Sequence, residues 1–215
     1  MNTKRIQFGS MKMINELKID LACGDNKREG FAGIDVAKTN STDYVVDLQQ
    51  FPWPIESESV EEINCSHYIE HIPHSNYQGE LNKVLDESST FEEFKLNLKN
   101  KKPEVDGFIK FINEVYRILK PGGKVHIVAP YYTSYRAFGD PTHTRYIADS
   151  SLWYLSKDWM KENGLSHYGV ECDFDIKVSY YITNELTLKS EEVRQKAFLH
   201  DWNVIDDIII ELVKK

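Results

Sequence analysis

The chain contains 215 residues, close to the size of one domain, and 41% of them are hydrophobic, which is enough apolar surface for a core. Its 26 lysines and arginines against 34 aspartates and glutamates give a formal net charge of −8. An acidic chain lacks the positive field that attracts phosphate backbones, so these values argue against general nucleic-acid binding. We expect one domain over residues 1–215, with an insertion or lid at residues 73–106.

Cysteine usage and hydropathy indicate the cellular setting. Cys23, Cys65 and Cys172 are far apart and form no CxxC pair, which argues against a disulfide framework and a cysteine-based zinc site. No run of about 18 apolar residues occurs, and residues 1–10 lack the apolar centre of a signal peptide. These features predict a cytoplasmic chain without a membrane partner, and they do not fix its oligomeric state.

Five short apolar runs bounded by turn residues are typical of buried parallel strands. We predict these strands at residues 18–23, 31–36, 44–48, 62–67 and 124–129. A helix is predicted between the fourth and fifth, because apolar residues repeat there with helical spacing at Phe108, Phe111, Ile112, Val115, Ile118 and Leu119. The sequence Pro121-Gly122-Gly123 ends it. Strands and crossovers in this order predict a doubly wound α/β sheet.

The C-terminal third predicts further elements. A helix is expected from residue 150 or 151 to 163, and Gly164 would end it. Strands are expected over 173–183 and 203–213, with a helix over 190–199 between them. Periodicity alone does not decide the last element, but its β-branched residues favour a strand. The polar stretch at 73–106 carries a short helical pattern over 91–98.

Acidic residues stand at the ends of the first three predicted strands, at Asp20, Asp35 and Asp47. Ligands of open α/β sheets bind at the carboxyl ends of the strands, and Gly24 would let the backbone approach a ligand there. Asp35 is placed to accept hydrogen bonds from both ribose hydroxyls, and Asp47 with Leu48 would suit an adenine ring. Three carboxylates favour a nucleoside that carries a positive charge, such as a sulfonium. The alternative is that they only cap turns.

Two other nucleotide sites are disfavoured. A nicotinamide or flavin site would need G-x-G-x-x-G and an acid about 20 residues further on. Only Gly24 and Gly30 are available here, and Asp25, Asn26 and Lys27 fill the places of further glycines. No G-x-x-x-x-G-K-[ST] sequence occurs, which excludes a P-loop.

Three stretches of the chain resemble the class I S-adenosylmethionine-dependent methyltransferases, type 11 branch. They are Ile19-Asp20-Leu21-Ala22-Cys23-Gly24 with Gly33-Ile34-Asp35, residues 51–72 with Glu70-His71, and residues 111–123 with Arg117-Ile118-Leu119-Lys120-Pro121-Gly122-Gly123. The resemblance implies a Rossmann-like, seven-stranded, mostly parallel sheet with helices on both faces and an antiparallel last strand, a three-layer α/β/α sandwich. It also implies S-adenosylmethionine as the cofactor.

The same resemblance implies a role for each matched position. Asp20 and Gly24 would flank the methionine part of the cofactor, and Asp35 would hold the ribose. Asp47 and Leu48 would hold the adenine, and Ser66 with His67 would form the mouth of the pocket. The expected cofactor-binding residues are Asp20, Cys23, Gly24, Asp25, Asn26, Asp35, Val36, Asp47, Leu48, Ser66 and His67.

The first crossover departs from the family pattern. Asp20 and Asp35 are only 15 positions apart (35 − 20), too few for two strand ends and a full helix. We therefore predict that the first helix is cut to one turn or lost, as in some short relatives. Asp25-Asn26 also replaces the usual second glycine, which predicts a weaker or more open cofactor pocket, although Asn26 tolerates left-handed backbone angles.

Residues after the fifth strand carry the candidate catalytic groups. Asp140, His143 and Arg145 place a carboxylate, an imidazole and a guanidinium within six positions. We expect His143 to act as the general base, with Asp140 orienting it and Arg145 binding an anionic group of the substrate. An Asp140–Arg145 pair that only braces the loop is an equal alternative.

His71, Tyr131 and Tyr132 are the expected substrate-binding residues. His71 belongs to the Glu-His element of the family, where it packs near the cofactor or guides the substrate. The two tyrosines either line an acceptor pocket or belong to the core.

A metal site is disfavoured. His67, His71 and His74 have i, i+4, i+7 spacing, which on a helix would present metal ligands on one face. Pro73 interrupts any such helix, and no matching cysteine or carboxylate set is evident. We therefore predict no metal.

Taken together, the residues and the resemblance predict an S-adenosylmethionine-dependent methyltransferase acting on a small molecule, such as a sugar or another metabolite. One alternative is a non-catalytic module that keeps the fold and binds a partner. Another is an enzyme that cleaves the cofactor without an acceptor. The sequence does not identify the acceptor or the atom methylated.

Overall fold

A computed structural model describes residues 13–75, 77–100 and 105–215. Residues 1–10, considered above for a targeting signal, lie outside these ranges, as do residues 76 and 101–104 of the expected insertion. Among the described residues, no helix has the length and apolar character needed to cross a bilayer.

Seven strands form one sheet at the centre of the fold. They are β1 (Lys18–Leu21), β2 (Ala32–Asp35), β3 (Tyr44–Val45), β4 (Val60–Ser66), β5 (Leu119–Pro130), β6 (Phe174–Ile182) and β7 (Ile205–Lys214). Their spatial order is β3-β2-β1-β4-β5-β7-β6. The first five strands are mutually parallel, and β7 runs antiparallel to both β5 and β6. The predicted fold class, a mostly parallel Rossmann-like sheet with an antiparallel last strand, is therefore confirmed.

Helices lie around this sheet. They are α1 (Tyr77–Asp86), α2 (Phe91–Asn100), α3 (Gly107–Ile118), α4 (Arg136–Gly139), α5 (Asp149–Leu152), α6 (Lys157–Glu162), α7 (Asn184–Thr187) and α8 (Glu191–His200), with 3-10 turns at Ile69–His71, Trp153–Leu155 and Ser166–Tyr168. The helix expected over 150–163 is instead divided into α5, a 3-10 turn and α6. The division occurs because Ser156 is extended and its side chain caps a new helix by accepting from the Trp159 amide.

The amphipathic helix α3 forms where its apolar spacing predicts, but it ends earlier than predicted, at Ile118. Asp106 caps its first turn by accepting a hydrogen bond from the Phe108 amide at 2.9 Å. Its apolar stripe, which includes Phe111, Ile112, Val115 and Ile118, is buried. Leu119 is extended and starts β5, so the turn at Pro121-Gly122-Gly123 lies inside the strand that follows and not in the helix.

The first crossover has no helix, as its length predicted. Residues 22–31, all of them described, form turns between β1 and β2. Asp20 holds this loop, because one carboxylate oxygen accepts the Arg28 amide at 2.7 Å and the other accepts Asn64 Nδ2 at 2.7 Å. These hydrogen bonds to the buried Asp20 carboxylate thus fix the position of a loop that has no helix to pack against the sheet.

The topology collects the loops that follow β1, β2, β4 and β5 at one edge of the sheet, because parallel strands end at the same edge. Since β7 is antiparallel to β5, its beginning lies at that edge as well, and Pro130 is in register with Asp207. Residues far apart in sequence therefore meet there.

A buried carboxylate on α3, that of Glu114, holds the loop before β4. Glu114 is 7% exposed, and its Oε1 accepts the Trp53 amide at 2.6 Å and Arg117 Nη2 at 2.6 Å. Glu114→Ala would leave the Trp53 amide buried without this acceptor, so we expect the free energy of unfolding to fall by about 1–3 kcal/mol. Urea denaturation measures this change.

The matched control is Glu92→Ala, which removes an exposed carboxylate paired with Lys95 on α2. Exposed pairs of this kind contribute little, so no measurable change is expected. Equal stability of the Glu114→Ala and wild-type proteins would contradict the structural role of Glu114.

Candidate functional site

The loop after β1 has an unusual backbone. Ala22 and Gly24 both lie in the left-handed region, with φ of +54° and +52°. Such backbone in a residue other than glycine is uncommon and is found preferentially at functional loops. A Cβ placed on Gly24 would meet no heavy atom within 4 Å, so the space beside this glycine is open.

Asp35 ends β2 beside this loop and holds it in place. One carboxylate oxygen accepts the Gly24 amide at 2.9 Å and the other accepts the Ala37 amide at 2.8 Å. A carboxylate has about four acceptor positions, so a partly exposed Asp35 keeps capacity for further donors. Next to it, the apolar Val36 side chain is 66% exposed. The end of β2 thus offers hydrogen-bond acceptors and an apolar surface to a ligand.

Asp20 lies deeper than the sequence suggested. It is 2% exposed, and both of its oxygens are used by Arg28 and Asn64. The expectation that it flanks the methionine part of the cofactor directly is therefore corrected. Because Asp20 is one residue before the end of β1, its side chain points into the protein and positions the loop.

The other loop residues divide into one buried and two exposed positions. Cys23 is buried with its Sγ 3.7 Å from the carbonyl oxygens of Gly24 and Ser41, and burial raises the pKa of its thiol, so it packs as a small apolar group. Asp25 and Asn26 are exposed. The Asp25 carbonyl accepts the Ser41 hydroxyl at 2.8 Å, which fixes the backbone and leaves both side chains facing outward.

A cleft of about 680 Å³ opens beside the loop after β3. Its walls include residues 48–51 of that loop, Tyr68, Phe111 and part of α1. Asp47 is exposed just before it, and Leu48 is buried. Volumes of this size are typical of small-ligand sites.

Tyr68 is one of the aromatic residues that line this cleft. Its ring is 5.6 Å from that of Phe111, centroid to centroid. Burial raises the pKa of its hydroxyl, and the carboxylates of Asp47 and Asp35 raise it further. Tyr68 thus lines the cleft and lies within electrostatic range of both strand-end carboxylates.

The segment after β4 carries the next group of polar residues. Ser66 and His67 are exposed, and His67 has a left-handed backbone with φ of +54°. Its Nδ1 is 3.4 Å from Oε1 of the buried Glu70, which raises the pKa of His67. Ser66 and His67 thus lie exposed at the end of β4, at the edge of the sheet where the loops after β1, β2 and β5 also lie.

An ion pair that the sequence did not indicate lies beside His67. Arg136 Nη1 is 2.6 Å from Asp207 Oδ2, which joins α4 to the beginning of β7. Burial raises the pKa of Asp207 and outweighs the opposing effect of Arg136. These residues meet because the antiparallel β7 starts where β5 ends, and no local sequence pattern signals that meeting.

Glu70, His71 and His143 form a cluster on the same side of the site. The two imidazole rings are 4.6 Å apart and edge to face. One potential ligand atom from each of the three residues lies within 4.8 Å of the others. The sequence assigned roles to both histidines and named Glu70 only as part of the Glu-His element, and it did not predict that the three residues would meet.

The loop after β5 is docked on the turn after β4, which fixes this cluster. The amides of Thr144 and Arg145 donate to the Glu70 carbonyl at 2.8 and 3.1 Å. The Thr144 hydroxyl donates to the Ile72 carbonyl at 2.8 Å. His143 is therefore held beside Glu70 and His71 by the backbone.

The expected contacts of Asp140 and Arg145 differ from those found. Asp140 Oδ1 accepts from the amide and the hydroxyl of Thr142, whereas His143 Nδ1 is 3.0 Å from the Ala137 carbonyl. Asp140 thus does not orient His143 directly.

Arg145 is turned away from the site. Its side chain is 12% exposed, pairs with Asp106 at 2.8 Å and donates to the Ile72 carbonyl at 2.7 Å. The expectation that Arg145 binds an anionic substrate is corrected, because the guanidinium braces the loop. The brace is made with Asp106, and not with Asp140 as the alternative supposed.

The two candidate tyrosines after β5 differ. Tyr131 is buried, and its hydroxyl donates to Asp149 at 3.0 Å, which assigns it to the core and corrects its place in the acceptor pocket. Tyr132 is exposed and its ring packs on that of Tyr131. Tyr132 therefore stays available to a ligand.

An exposed aromatic patch borders α4. The ring of Phe138 stacks on Tyr146 at 4.5 Å and lies 6.2 Å from Trp202. All three side chains are more than half exposed. The aromatic residues after β5 gave a signal for Phe138, but nothing near Trp202 indicated that it would join them.

Comparisons with known proteins extend these observations. No protein-family model matches the chain, and no curated protein matches its sequence. Solved structures do match. A SAM-dependent methyltransferase from Archaeoglobus fulgidus is 18% identical with a TM-score of 0.54, and the match covers 92% of this chain and 85% of that one.

Two further matches have lower TM-scores. A SAM-dependent methyltransferase from Mesorhizobium loti is 11% identical with a TM-score of 0.45, over 93% of this chain and 91% of that one. A phosphoethanolamine N-methyltransferase from Haemonchus contortus, in complex with phosphomonomethylethanolamine and S-adenosylhomocysteine, is 14% identical with a TM-score of 0.48, over 97% and 50%.

The strand order, the antiparallel β7 and the Archaeoglobus fulgidus match define the class of the fold. The chain has the fold of the class I S-adenosylmethionine-dependent methyltransferases, as the resemblance in sequence implied. The structural match, with a TM-score of 0.54 at 18% identity, shows a shared fold.

Proposed function

We propose that the protein is an S-adenosylmethionine-dependent methyltransferase that acts on a small-molecule acceptor. The observation that carries the proposal is the pairing of Gly24 and Asp35. A left-handed glycine with open space beside it is hydrogen-bonded to a strand-end carboxylate that keeps free acceptor positions. This pair lies at the edge of the sheet where α/β folds bind their ligands.

The residues at this edge fit the cofactor part by part. The open space beside Gly24 would receive the methionine part, with Asp25 and Asn26 at its rim. Asp35 would accept hydrogen bonds from the ribose hydroxyls, and Val36 would cover the sugar. The adenine would lie toward the cleft, near Asp47, Leu48, Tyr68 and Phe51.

When bound, the sulfonium supplies an electrophilic methyl carbon, to which an acceptor lone pair bonds while the sulfur–carbon bond breaks and its electron pair stays on sulfur. The protein has to hold the acceptor in line with that bond. It also has to receive the acceptor's proton. His143 supports this role, because its Nδ1 faces the Ala137 carbonyl and its Nε2 is left to take a proton.

The acceptor side combines polar and aromatic surfaces. His71 and His143 offer nitrogen atoms, and Tyr132 offers an exposed ring in the segment after β5. The patch of Phe138, Tyr146 and Trp202 offers ring faces to the apolar side of a sugar or to a planar ring. These features support a hydroxylated or cyclic metabolite as the acceptor, and Arg145 gives no support for an anionic one.

Replacing Asp35 tests the proposal. Asp35→Ala removes the acceptor proposed for the ribose, so we expect S-adenosylmethionine to bind about 10 to 150 times more weakly, the equivalent of about 1.5–3 kcal/mol. Calorimetric titration with S-adenosylmethionine and S-adenosylhomocysteine measures this change. The control is Asp175→Ala, because Asp175 is an exposed carboxylate on β6.

One outcome would contradict the proposed position of the ribose, and another would contradict cofactor binding as a whole. Unchanged affinity in Asp35→Ala would mean that the ribose is held elsewhere. Absence of binding of either compound to the wild-type protein would favour a non-catalytic module. Product analysis of the protein incubated with S-adenosylmethionine alone detects cleavage without an acceptor.

A further inference from the structure

Glu70 is a buried carboxylate that lacks a hydrogen-bonding partner. It is 1% exposed, and neither of its carboxylate oxygens accepts a hydrogen bond from the residues that the structure describes. The imidazole of His67 lies 3.4 Å from one oxygen, close enough to form an ion pair when the ring is protonated, and the other oxygen has no partner among these residues. An ionised group buried in this way is costly unless it pairs with a charge or coordinates a metal.

The neighbouring His143 presents a nitrogen lone pair. Its Nδ1 is 3.0 Å from the Ala137 carbonyl, which can only accept. His143 therefore carries its proton on Nδ1 and donates it to that carbonyl, which leaves Nε2 with a lone pair when the ring is neutral. A backbone carbonyl that receives the other ring N–H is the usual support of a metal-binding histidine.

A chain of two hydrogen bonds shows that His71, like His143, carries its proton on Nδ1. The Thr142 hydroxyl donates its single proton to Asp140 at 2.7 Å. The same hydroxyl oxygen lies 3.0 Å from His71 Nδ1 and has no second proton to donate, so it must accept a hydrogen bond from that nitrogen. His71 thus also carries its proton on Nδ1, and its Nε2 has a lone pair when the ring is neutral. Asp140 thus positions His71 through Thr142, and not His143 as the sequence predicted.

We propose that Glu70, His71 and His143 bind a divalent transition-metal ion. One ligand atom from each lies within 4.8 Å of the others. Atoms bound to one ion at about 2.1 Å are about 3.0–3.4 Å apart, so side-chain rotations would close the site around it. Two imidazoles and one carboxylate suit Mn²⁺, Fe²⁺, Co²⁺ or Zn²⁺ and leave coordination positions open.

The proposal revises the sequence prediction of no metal. That prediction considered His67, His71 and His74 as one set on a helix. The set proposed here takes one of those histidines, adds the adjacent Glu70 and completes it with His143 from the loop after β5. The hydrogen bonds from the amides of Thr144 and Arg145 to the Glu70 carbonyl bring the two segments together.

The ion would also deepen the proposed function, on which this step rests. An acceptor hydroxyl at an open coordination position would lose its proton to solvent more readily, because the cation stabilises the alkoxide. In the metal-bound protein His143 would be a ligand and would not take that proton. Methyl transfer would then stop when a chelator removes the ion.

Titration of the full-length, chelator-treated protein tests the site without any cofactor or acceptor. We expect one Mn²⁺ or Zn²⁺ to bind per chain by calorimetry, and Co²⁺ to give visible absorption of a protein-bound ion. Glu70→Gln and His143→Ala should each weaken binding at least about 10-fold. His167→Ala, which removes an exposed histidine outside the cluster, should bind like the wild type.

The variants also separate failure of the site from failure of the fold. Thermal unfolding and S-adenosylmethionine affinity should be retained in His143→Ala even where Glu70→Gln folds poorly. No saturable binding, or binding that both variants leave unchanged, would overturn the site. Metal binding without S-adenosylmethionine binding would refute the proposed function and support the metal site. S-Adenosylmethionine binding without metal binding would refute the metal site and leave the proposed function supported.

Discussion

Gly24→Val is expected to weaken S-adenosylmethionine binding at least about 100-fold, or about 2.7 kcal/mol. The space beside Gly24 is open and lies where the methionine part of the cofactor is proposed, so a branched side chain would fill it. The new residue would also be strained, because β-branched residues avoid positive φ. Calorimetric titration measures the affinity, and thermal unfolding measures the strain.

Gly122 provides a matched control for this experiment. It has φ of +75° and open space within 4 Å of a Cβ, as Gly24 does, but it lies near the beginning of β5, at the opposite edge of the sheet. Gly122→Val should therefore be destabilised about as much as Gly24→Val and should bind S-adenosylmethionine like the wild type. Equal affinities in the two variants would mean that the cofactor does not occupy the space beside Gly24.

Elements with a strong local pattern were predictable from the sequence. The stripe from Phe111 to Ile118 fixed α3 because a helix buries one face at this spacing. The short distance from Asp20 to Asp35 predicted a helix-free crossover, since chain length limits what can fit. In contrast, α1 lies in the polar insertion, where Leu81, Val84 and Leu85 form only a short apolar stripe and Val84 alone of the three is buried, so the local pattern was too weak to predict the helix.

Within the candidate site, the sequence predicted the position of a residue only where that residue is the last one of a strand. Asp35 ends its strand, and its position follows from the local sequence. Asp20 comes one residue before the end of β1, and a shift of one residue along a strand turns a side chain to the other face. The register of Asp20 is set by the pairing of β1 with its neighbours, in which Asp20 lies opposite Gly33 on β2 and Asn64 on β4.

Meetings between distant segments could not be predicted from one sequence. Glu70 and His143 lie together because the loop after β5 docks on the turn after β4. Arg145, on the loop after β5, forms an ion pair with Asp106 at the start of α3. This ion pair holds the guanidinium away from the candidate site. Each contact depends on tertiary packing, so proximity in sequence suggested the wrong partner for Arg145.

The largest effect on turnover is expected from His143→Ala. Its Nε2 faces no described hydrogen-bond partner, and in the free protein it can take the acceptor's proton. Loss of a positioned proton acceptor slows a reaction about 10²–10⁴-fold. If His143 instead holds the proposed cation, its removal also costs the activation of the acceptor, so turnover falls in both cases.

The measurement is single-turnover transfer of a labelled methyl group to the most reactive compound in a panel of sugars and hydroxylated metabolites. S-Adenosylmethionine affinity should be unchanged in His143→Ala, because the proposed cofactor contacts do not include this imidazole, which is proposed to face the acceptor. His167→Ala should transfer at the wild-type rate. Chelator treatment of the wild type separates the two roles, since a proton-accepting His143 works without metal and a ligand does not. Full turnover in His143→Ala would remove this residue from the mechanism.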